Sequence, residues 1–314
     1  MTAPLRIGTR GSRLALWQAH YVAERLRPLA GNRLIELIEI ETIGDQVRDK
    51  PLSQIGGDGV FTKEIQRVLL AGDIDIAVHS LKDLPTLAIE GLTLAAVPKR
   101  GPAGDVFVSR KHHNFDSLPL GATVATSSLR RRAMALHRRP DLRLVNIRGN
   151  VETRLSKLES DELDGIILAH AGLDRLGLEA AITEILDTSW MLPAVGQGAL
   201  GLECRIGDRA SLDLVEQLND PVTRQVVLAE RSFLRRLGGG CLVPIGVESR
   251  VSGTQLTLRG VVMRADGVEK VEGERSGPAA DAEILGLHLA DDLARAGANR
   301  LLLNREQTGA MKAS

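Results

Sequence analysis

The sequence predicts an α/β protein, with two segments of alternating strands and helices followed by a smaller α+β segment. The predicted domains are 1–98 together with 199–216 as a first α/β lobe, 104–192 as a second α/β lobe, 221–307 as a C-terminal α+β domain, and a tail at 308–314. Two stretches rich in glycine and proline, 98–104 and 192–198, are typical of linkers between such lobes. With 314 residues, the chain is long enough for several domains of ordinary size.

In the first segment, a short strand at 5–7 leads through a glycine-bearing turn into a helix with Ser12 as a suitable N-cap. The apolar face of this helix is predicted from helical spacing as Leu14, Trp17, Tyr21, Val22 and Leu26. The junction presents backbone N–H groups and a helix N-terminus, which favour an anion, and Arg10 lies in it. The later elements are a strand at 35–43, a loop at 44–59, a helix with Phe61, Ile65, Val68 and Leu69 on one face, and a strand at 92–97.

The stretch 73–85 predicts a short strand that ends in polar side chains. Isoleucine and valine at alternate positions indicate a buried strand, which runs directly into Ser80, Lys82 and Asp83. Pro85 disfavours a continuation of regular structure. Polar residues that follow a strand of an α/β sheet lie at the crevice where ligands bind, so these three are candidate site residues. The alternative is that Lys82 and Asp83 are solvated turn residues.

The second segment concentrates arginine at the starts of its helices. Strands are predicted at 106–108, 123–125, 142–147 and 164–168, and the last three lead into junctions at 126–132, 148–154 and 171–175. From Arg130 to Arg154 there are eight arginines and two acidic residues, although the 40 basic and 40 acidic residues of the whole chain balance. Arginines that follow strand ends favour a convergent site for an anion over a solvated surface. A single-stranded nucleic acid is disfavoured because this stretch contains no aromatic residue.

The two cysteines have different surroundings. Cys241 follows a helix predicted at 221–237 and the glycines 238–240, which place its thiol on a loop with little steric cover. The alternative for Cys241 is a buried, small apolar residue. Cys204 lies in an apolar strand at 199–204, and we expect it in the core. Neither cysteine belongs to a metal-ligand spacing, so no metal is expected.

The N-terminal residues do not match a signal peptide, and no apolar run reaches the length of a membrane span. Together with two well-separated cysteines, this pattern predicts a reduced, cytoplasmic protein. The C-terminal segment is predicted to carry a strand at 256–263 and a helix at 281–296.

Seven short motifs follow one another along the chain. They are Ile7-Gly8-Thr9-Arg10, Leu14-Ala15-Leu16-Trp17-Gln18, Ala77-Val78-His79-Ser80-Leu81-Lys82-Asp83, Thr126-Ser127-Ser128-Leu129-Arg130-Arg131, Arg148-Gly149-Asn150, Leu192-Pro193-Ala194-Val195-Gly196-Gln197-Gly198-Ala199 and Gly239-Gly240-Cys241-Leu242-Val243-Pro244-Ile245-Gly246. Any one of them would be a weak signal. Together and in this order, they resemble the porphobilinogen deaminase (hydroxymethylbilane synthase) family over nearly the whole chain.

This resemblance implies a transferase of tetrapyrrole biosynthesis. Such an enzyme joins four molecules of its small-molecule substrate, porphobilinogen, head to tail into hydroxymethylbilane and releases ammonia each time. The resemblance implies three domains, the first two similar to the lobes of periplasmic binding proteins with a cleft between them. It also implies a dipyrromethane cofactor bound covalently to Cys241, with Asp83 as the catalytic residue. We expect a monomer that binds neither nucleic acid nor a membrane.

By resemblance, further polar and basic residues bind the cofactor and the substrate. The implied cofactor-binding residues are Cys241, Lys82, Asp83, Ser80, Thr126, Ser127, Ser128, Arg130, Arg131, Arg148 and Gly149. The implied substrate-binding residues are Arg10, Ser12, Gln18, Arg148, Arg154 and Arg175. Every pyrrole ring of the substrate carries an acetate and a propionate, and arginine binds carboxylates through paired hydrogen bonds.

The chain departs from the family pattern in its loops. Gln54 and Asp58 occupy positions where lysines are usual, and Gly238 and Leu242 replace polar residues beside the cysteine. A rival hypothesis is a two-lobed binding protein for an anionic metabolite, without catalysis. That hypothesis accounts for the lobes and the arginines, but it gives no reason for a cysteine after three glycines.

Overall fold

The structure is a computed structural model that describes residues 3–46, 59–159, 162–238 and 243–303. Its strands are β1 Leu5–Thr9, β2 Ile35–Glu39, β3 Ile76–Ser80, β4 Leu92–Ala96, β5 Asp105–Val108, β6 Thr123–Ala125, β7 Arg143–Val145, β8 Gly165–Ala169, β9 Glu184–Ile185, β10 Leu200–Arg205, β11 Ile245–Ser252, β12 Gln255–Met263 and β13 Lys270–Pro278. Its helices are α1 Arg13–Leu26, α2 Ile43–Gln46, α3 Lys63–Ala71, α4 Leu129–Arg138, α5 Val151–Lys157, α6 His170–Leu176, α7 Arg209–Glu216, α8 Pro221–Arg236, α9 Ala282–Arg295 and α10 Ala298–Leu303.

Two five-stranded sheets of the described residues share one strand arrangement. The first has the order β2-β1-β3-β10-β4 and the second the order β7-β6-β8-β5-β9. In each sheet the first three strands are parallel, while β10 and β5 run antiparallel to their neighbours. Each of these two antiparallel strands follows one of the two predicted linkers in the sequence. A three-stranded antiparallel sheet, β11-β12-β13, completes the fold and confirms the predicted class of two α/β lobes with a small C-terminal domain.

The chain divides into two compact units. One consists of 1–103, 171–178 and 196–224, and the other of 104–170, 179–195 and 225–314. Helix α6, except for its first residue, belongs to the first unit. The strands before and after it in the sequence, β8 and β9, belong to the second. The three-stranded sheet lies in the second unit, where Val261 and Met263 of β12 join a core with Met134 of α4. The residue boundaries of three separate domains stay a prediction.

The first unit has its core between α1 and the sheet. Ile7, Ile76 and Leu202, from three adjacent strands, are fully buried in the same cluster as Val22 of α1. Cys204 of β10 is also fully buried there, as predicted for this thiol. The strand predicted at 199–204 is thus a central strand of the first sheet.

The buried face of α1 differs from the predicted one. The buried residues are Gln18, Ala19, Val22, Ala23 and Leu26, whereas Trp17 is 36% exposed. The prediction was therefore right for Val22 and Leu26 and wrong for Trp17, while Leu14 and Tyr21 are partly buried. A physical reason is the hydrogen bond from Gln18 to Ser80, which turns a polar residue toward the sheet and rotates the apolar residue before it outward.

The strand predicted at 35–43 is also shorter than expected. It ends at Glu39, and Ile43 begins the short helix α2. The hydroxyl of Thr42 donates a hydrogen bond to Asp45 at 2.7 Å, and the backbone N–H of Asp45 donates to the carbonyl of Thr42. These local bonds favour a helical turn over an extended chain. Residues 47–58 of the predicted loop, including Gln54 and Asp58, lie outside the described residues.

No helix in the described ranges has both the length and the apolar character that a bilayer crossing requires.

Candidate functional site

The turn that follows β3 carries the candidate catalytic residue. Strand β3 ends at Ser80, and a single 3₁₀ turn, Leu81–Asp83, comes next. Leu81 is buried, and its backbone N–H donates to the carbonyl of Ala199 at 3.0 Å. The turn is thereby held against the start of β10, and Lys82 and Asp83 are half-buried. This position disfavours the alternative of fully solvated turn residues.

Gly196 explains part of the motif in the second linker. It has φ +68°, and a Cβ atom there would lie 3.3 Å from both the backbone nitrogen of Lys82 and Cγ of Leu81. A side chain at this position would be strained by its backbone conformation and crowded by the turn. Because glycine has no side chain, the backbone of Gly196 can pack directly against Leu81 and Lys82.

Gln18 connects α1 to the same turn. Its side-chain amide donates to Oγ of Ser80 at 2.8 Å, and the hydroxyl can in turn donate to the amide oxygen at 3.2 Å. Ser12 caps α1 by accepting the backbone N–H of Ala15 at 3.3 Å. The predicted substrate residues Ser12 and Gln18 therefore have structural contacts of their own. Ser12 caps α1, and Gln18 fixes the helix beside the end of β3.

Arg10 follows β1 and is held by an acidic partner that sequence reasoning did not identify. Its Nε and Nη2 donate to the carboxylate of Asp45 at 3.1 and 2.5 Å, and its guanidinium lies 4.2 Å from the centre of the Phe61 ring. Burial alone would raise the pKa of Asp45, but hydrogen bonds from Arg10 and Thr42 lower it below its usual value. Asp45 binds the Nε edge of the guanidinium, which leaves the terminal edge facing elsewhere.

Arg175, on α6, belongs to the first unit. Its Nη2 donates to the carbonyl of Gly198 at 2.6 Å, and its guanidinium lies 5.7 Å from the centre of the Trp17 ring. Burial lowers the pKa of Arg175. The guanidinium remains the charged form at neutral pH, because arginine loses its proton only at far higher pH.

In the second unit, the junction between β6 and α4 presents three hydroxyl groups. Oγ of Ser128 caps α4 by accepting the N–H of Arg131, and Oγ1 of Thr126 accepts the N–H of Ser128. Ser127 donates to the carbonyl of Ile147 at 2.5 Å and accepts the N–H of the same residue at 3.0 Å. These bonds join the two strand–helix junctions that sequence analysis identified as arginine-rich.

Arg130 and Arg131 are buried and share one carboxylate, that of Asp105. Nη1 of Arg130 donates to Asp105 at 2.6 Å and to the carbonyl of Leu192 at 2.5 Å. Nε of Arg131 donates to the other oxygen of Asp105 at 2.9 Å, and Nη1 donates to the carbonyl of Ile167 at 3.2 Å. Asp105 is 0% exposed, and burial lowers the pKa of Arg131 while Asp105 raises it. The predicted carboxylate binders are thus part of a buried ion cluster.

Arg148 and Arg154 flank a tight glycine turn. Gly149 has φ +114°, and a Cβ atom there would lie 2.6 Å from Cγ2 of Thr153, so this position requires glycine. Nε of Arg154 donates to the carbonyl of Gly149 at 2.8 Å, and Asn150 caps α5 by accepting the N–H of Thr153. Burial lowers the pKa of Arg148.

The predicted site residues therefore form two groups. The first unit holds Arg10, Ser12, Gln18, Ser80, Lys82, Asp83 and Arg175, and the second holds Thr126, Ser127, Ser128, Arg130, Arg131, Arg148, Gly149 and Arg154. Cys241 lies outside the described residues. Within the described ranges, no cluster of histidine, cysteine and acidic residues could hold a metal ion.

The donors of the second group fit an acidic ligand such as dipyrromethane, whose rings carry carboxylates. Nε of Arg130 is buried and meets no hydrogen-bond acceptor among the described residues. Two guanidinium groups share the single carboxylate of Asp105, so the cluster carries more positive than negative charge. A buried donor and a surplus of buried positive charge both favour an anionic partner.

Sequence reasoning missed Asp45, Asp105 and the contact of Trp17 with Arg175. Asp105 could have been found, because an acidic residue that directly follows a linker and opens an apolar strand is unusual. Asp45 and Trp17 gave no such signal, since their roles depend on contacts between distant parts of the chain.

We predict that Asp105→Asn lowers the free energy of unfolding by about 3–5 kcal/mol, because two buried guanidinium groups lose their charged partner. The control is Glu159→Gln, which breaks the exposed Arg110–Glu159 pair and should lower it by at most about 1 kcal/mol. Urea unfolding followed by circular dichroism measures both. Equal shifts of the two midpoints would show that Asp105 has no special structural role.

Comparison with known proteins adds an independent finding. Residues 5–213 match the family model "Porphobilinogen deaminase, dipyromethane cofactor binding domain", and residues 224–295 match "Porphobilinogen deaminase, C-terminal domain". Curated porphobilinogen deaminases of Syntrophotalea carbinolica and Trichlorobacter lovleyi are 48% identical over 301 residues and 50% identical over 298 residues. These alignments cover 96% of both chains in the first case and 95% of both in the second. Among solved structures, the methionine-binding protein MetQ covers 68% of this chain and 89% of its own, at a TM-score of 0.44 and 14% identity. The two family models and the full-length relatives place the chain in the porphobilinogen deaminase family.

Proposed function

We propose that this chain condenses four porphobilinogen molecules head to tail into hydroxymethylbilane, with Asp83 as the catalytic residue. The observation that carries the proposal is the turn Leu81–Asp83, which presents the half-buried Lys82 and Asp83 and packs against the start of β10 and Gly196. Family membership supports it over the rival hypothesis of a binding protein without catalysis.

Each condensation breaks the bond between the aminomethyl carbon of porphobilinogen and its nitrogen, and ammonia leaves. The remaining methylene carbon is part of a pyrrole cation. The free α-carbon of the terminal ring of the growing chain forms a carbon–carbon bond to it, and that ring then loses a proton. A carboxylate beside the pyrrole nitrogen stabilises the positive charge as it develops. Asp83 supplies that carboxylate, and it can also pass a proton to the leaving amine.

Arginine side chains bind the carboxylates of the substrate rings in this proposal. The substrate-binding residues are Arg10, Arg148, Arg154 and Arg175, with Ser12 and Gln18 beside them. The contact between Asp45 and the Nε edge of Arg10 supports this role, because it orients the guanidinium while its terminal edge can still form paired hydrogen bonds.

Dipyrromethane supplies the free pyrrole α-position from which chain growth starts. We propose that Cys241 holds this cofactor through a thioether. The other proposed cofactor-binding residues are Ser80, Lys82, Asp83, Thr126, Ser127, Ser128, Arg130, Arg131, Arg148 and Gly149. The unpartnered Nε of Arg130 and the positive surplus around Asp105 support the second-unit residues of this set.

We propose in addition that the protein acts as a cytoplasmic monomer and binds no nucleic acid. Among the described residues, the most exposed large apolar side chains, Leu34, Leu87, Leu120 and Val268, lie in separate loops, a distribution that is ordinary for monomers. The balance of 40 basic and 40 acidic residues gives no general attraction to nucleic acid. Gel filtration with light scattering tests the oligomeric state.

Asp83→Asn should lower kcat by about 10²- to 10³-fold, because the amide does not stabilise the developing cation as a carboxylate does. Release of ammonia and consumption of porphobilinogen measure the effect. Asp73→Asn, an exposed change ten residues earlier, is the control and should leave kcat unchanged. Near-normal turnover of Asp83→Asn would show that the catalytic carboxylate lies elsewhere.

The intact mass of the purified protein should exceed the mass of the sequence by two linked pyrrole units. Cys241→Ser should abolish this increase, and Cys204→Ser should retain it, because Cys204 is fully buried. An active protein with the unmodified mass would contradict the assignment of the cofactor to this chain.

The native protein with bound cofactor should contain no thiol that reacts rapidly with a disulfide reagent at pH 8. Burial raises the pKa of Cys204 to about 12, and only the thiolate form reacts. After unfolding in denaturant, one thiol should react. Rapid reaction of one thiol in the native, active protein would show that Cys241 carries no thioether or that Cys204 is accessible.

A further inference from the structure

Trp17 is an aromatic residue exposed where the sequence pattern predicted a buried one. The residue is 36% exposed, and its ring stacks on Tyr21, with ring centres 5.3 Å apart and an angle of 22° between the planes. The two residues are four positions apart on α1 and therefore lie on the same side of the helix. The guanidinium of Arg25 lies 3.5 Å from the centre of the Tyr21 ring and extends the stack by one more residue.

The other end of this stack is Arg175. Its guanidinium lies 5.7 Å from the centre of the Trp17 ring, within the range of a cation–π contact. Nη2 of Arg175 also donates to the carbonyl of Gly198, and it would lie 3.8 Å from a Cβ atom at Gly101. Arg175 is thus held by the backbone carbonyl of Gly198 in the second linker and by the indole of Trp17, and it lies close to Gly101 of the first linker.

This arrangement leaves Arg175 able to bind an anion. A guanidinium carries five N–H donors, all of which lie in its plane, and the bond to Gly198 engages Nη2. A cation–π contact with the face of the Trp17 ring restricts the guanidinium through its charge and consumes none of those hydrogen-bond donors. A carboxylate that approaches in the plane can therefore still form paired hydrogen bonds.

Gln18, the residue that follows Trp17, contacts the other part of the proposed site. Gln18 binds Ser80 at the end of β3, three residues before Asp83. Two consecutive residues of α1 thus have related roles. Trp17 contacts the arginine proposed to bind substrate, and Gln18 holds the strand that leads to the proposed catalytic carboxylate.

We propose that Trp17 is a positioning residue, whose indole holds the Arg175 guanidinium in the orientation that binds a substrate carboxylate. The inference rests on the proposed role of Arg175 in substrate binding. It also means that the fluorescence of Trp17 responds when a carboxylate binds to Arg175, because the indole contacts the group whose charge is then neutralised.

The kinetic test compares Trp17→Leu, which keeps an apolar side chain without an aromatic ring, with Trp17→Phe, which keeps an aromatic face. Trp17→Leu should raise the KM for porphobilinogen by about 3- to 10-fold, as expected for a lost cation–π contact. Its kcat and cofactor mass should be unchanged, because the contact acts on binding of a substituent remote from the reacting carbon. Trp17→Phe should restore most of the affinity, and His20→Leu, an exposed change on the same helix, is the control.

A double-mutant cycle separates this inference from the function on which it depends. If Trp17 acts through Arg175, Trp17→Leu should have no further effect on KM in an Arg175→Leu background. Additive effects, or an unchanged KM in Trp17→Leu alone, would overturn the inference while Arg175 keeps its proposed role. An unchanged KM in Arg175→Leu would instead overturn the role of Arg175 in substrate binding.

A spectroscopic test needs no change at Trp17. The chain contains two tryptophans, so Trp190→Phe leaves Trp17 as the only one. Its emission should change on addition of saturating porphobilinogen, and adding Arg175→Leu should abolish the change. Emission that does not respond to porphobilinogen in an active Trp190→Phe protein, or a response that persists without Arg175, would overturn the inference.

Discussion

The buried ion cluster of Asp105, Arg130 and Arg131 is the interaction on which the second unit depends most. Burial of one carboxylate and two guanidinium groups is unfavourable unless each finds good partners. Here Asp105 binds both arginines, and the carbonyls of Leu192 and Ile167 accept further N–H groups. Since both arginines lie in the first turn of α4, the cluster also fixes the junction 126–128, whose hydroxyl groups precede that helix.

The two α/β sheets secure their functional junctions in comparable ways. In the first unit, β10 enters from a linker, and the carbonyl of Ala199 just before it binds the turn that carries Asp83. In the second, β5 enters from the other linker, and its first residue, Asp105, binds the helix that follows β6. In each unit, then, the antiparallel strand also supports the segment at the carboxyl end of a parallel strand, its direct neighbour β3 in the first sheet and β6, two strands away, in the second. Loops at these ends are where α/β proteins bind ligands.

Much of this arrangement could be predicted from local sequence patterns. Strand alternation before Ser80, glycine-bearing turns and arginine after strand ends depend only on neighbouring residues, so the turn of Asp83 and the helix starts of the second segment were predicted correctly. Contacts between distant residues could not be predicted in this way. The burial of Arg130 depends on a carboxylate 25 positions away, and the exposure of Trp17 depends on a hydrogen bond between its neighbour and a strand 62 positions away. The position of Cys241 stays a prediction.

The burial of Cys204 has a consequence for the maturation of the protein. A chain that acquires a covalent group by attack of a thiolate on an electrophile risks reaction at every sulfur it carries. Cys204 lies on β10 within the core of the first unit, and burial raises its pKa to about 12, well above the usual value of a thiol. The fold thus acts as a protecting group for this thiol. The burial of Cys204 therefore makes the attachment selective for the other cysteine, even when the electrophile itself does not distinguish between thiols.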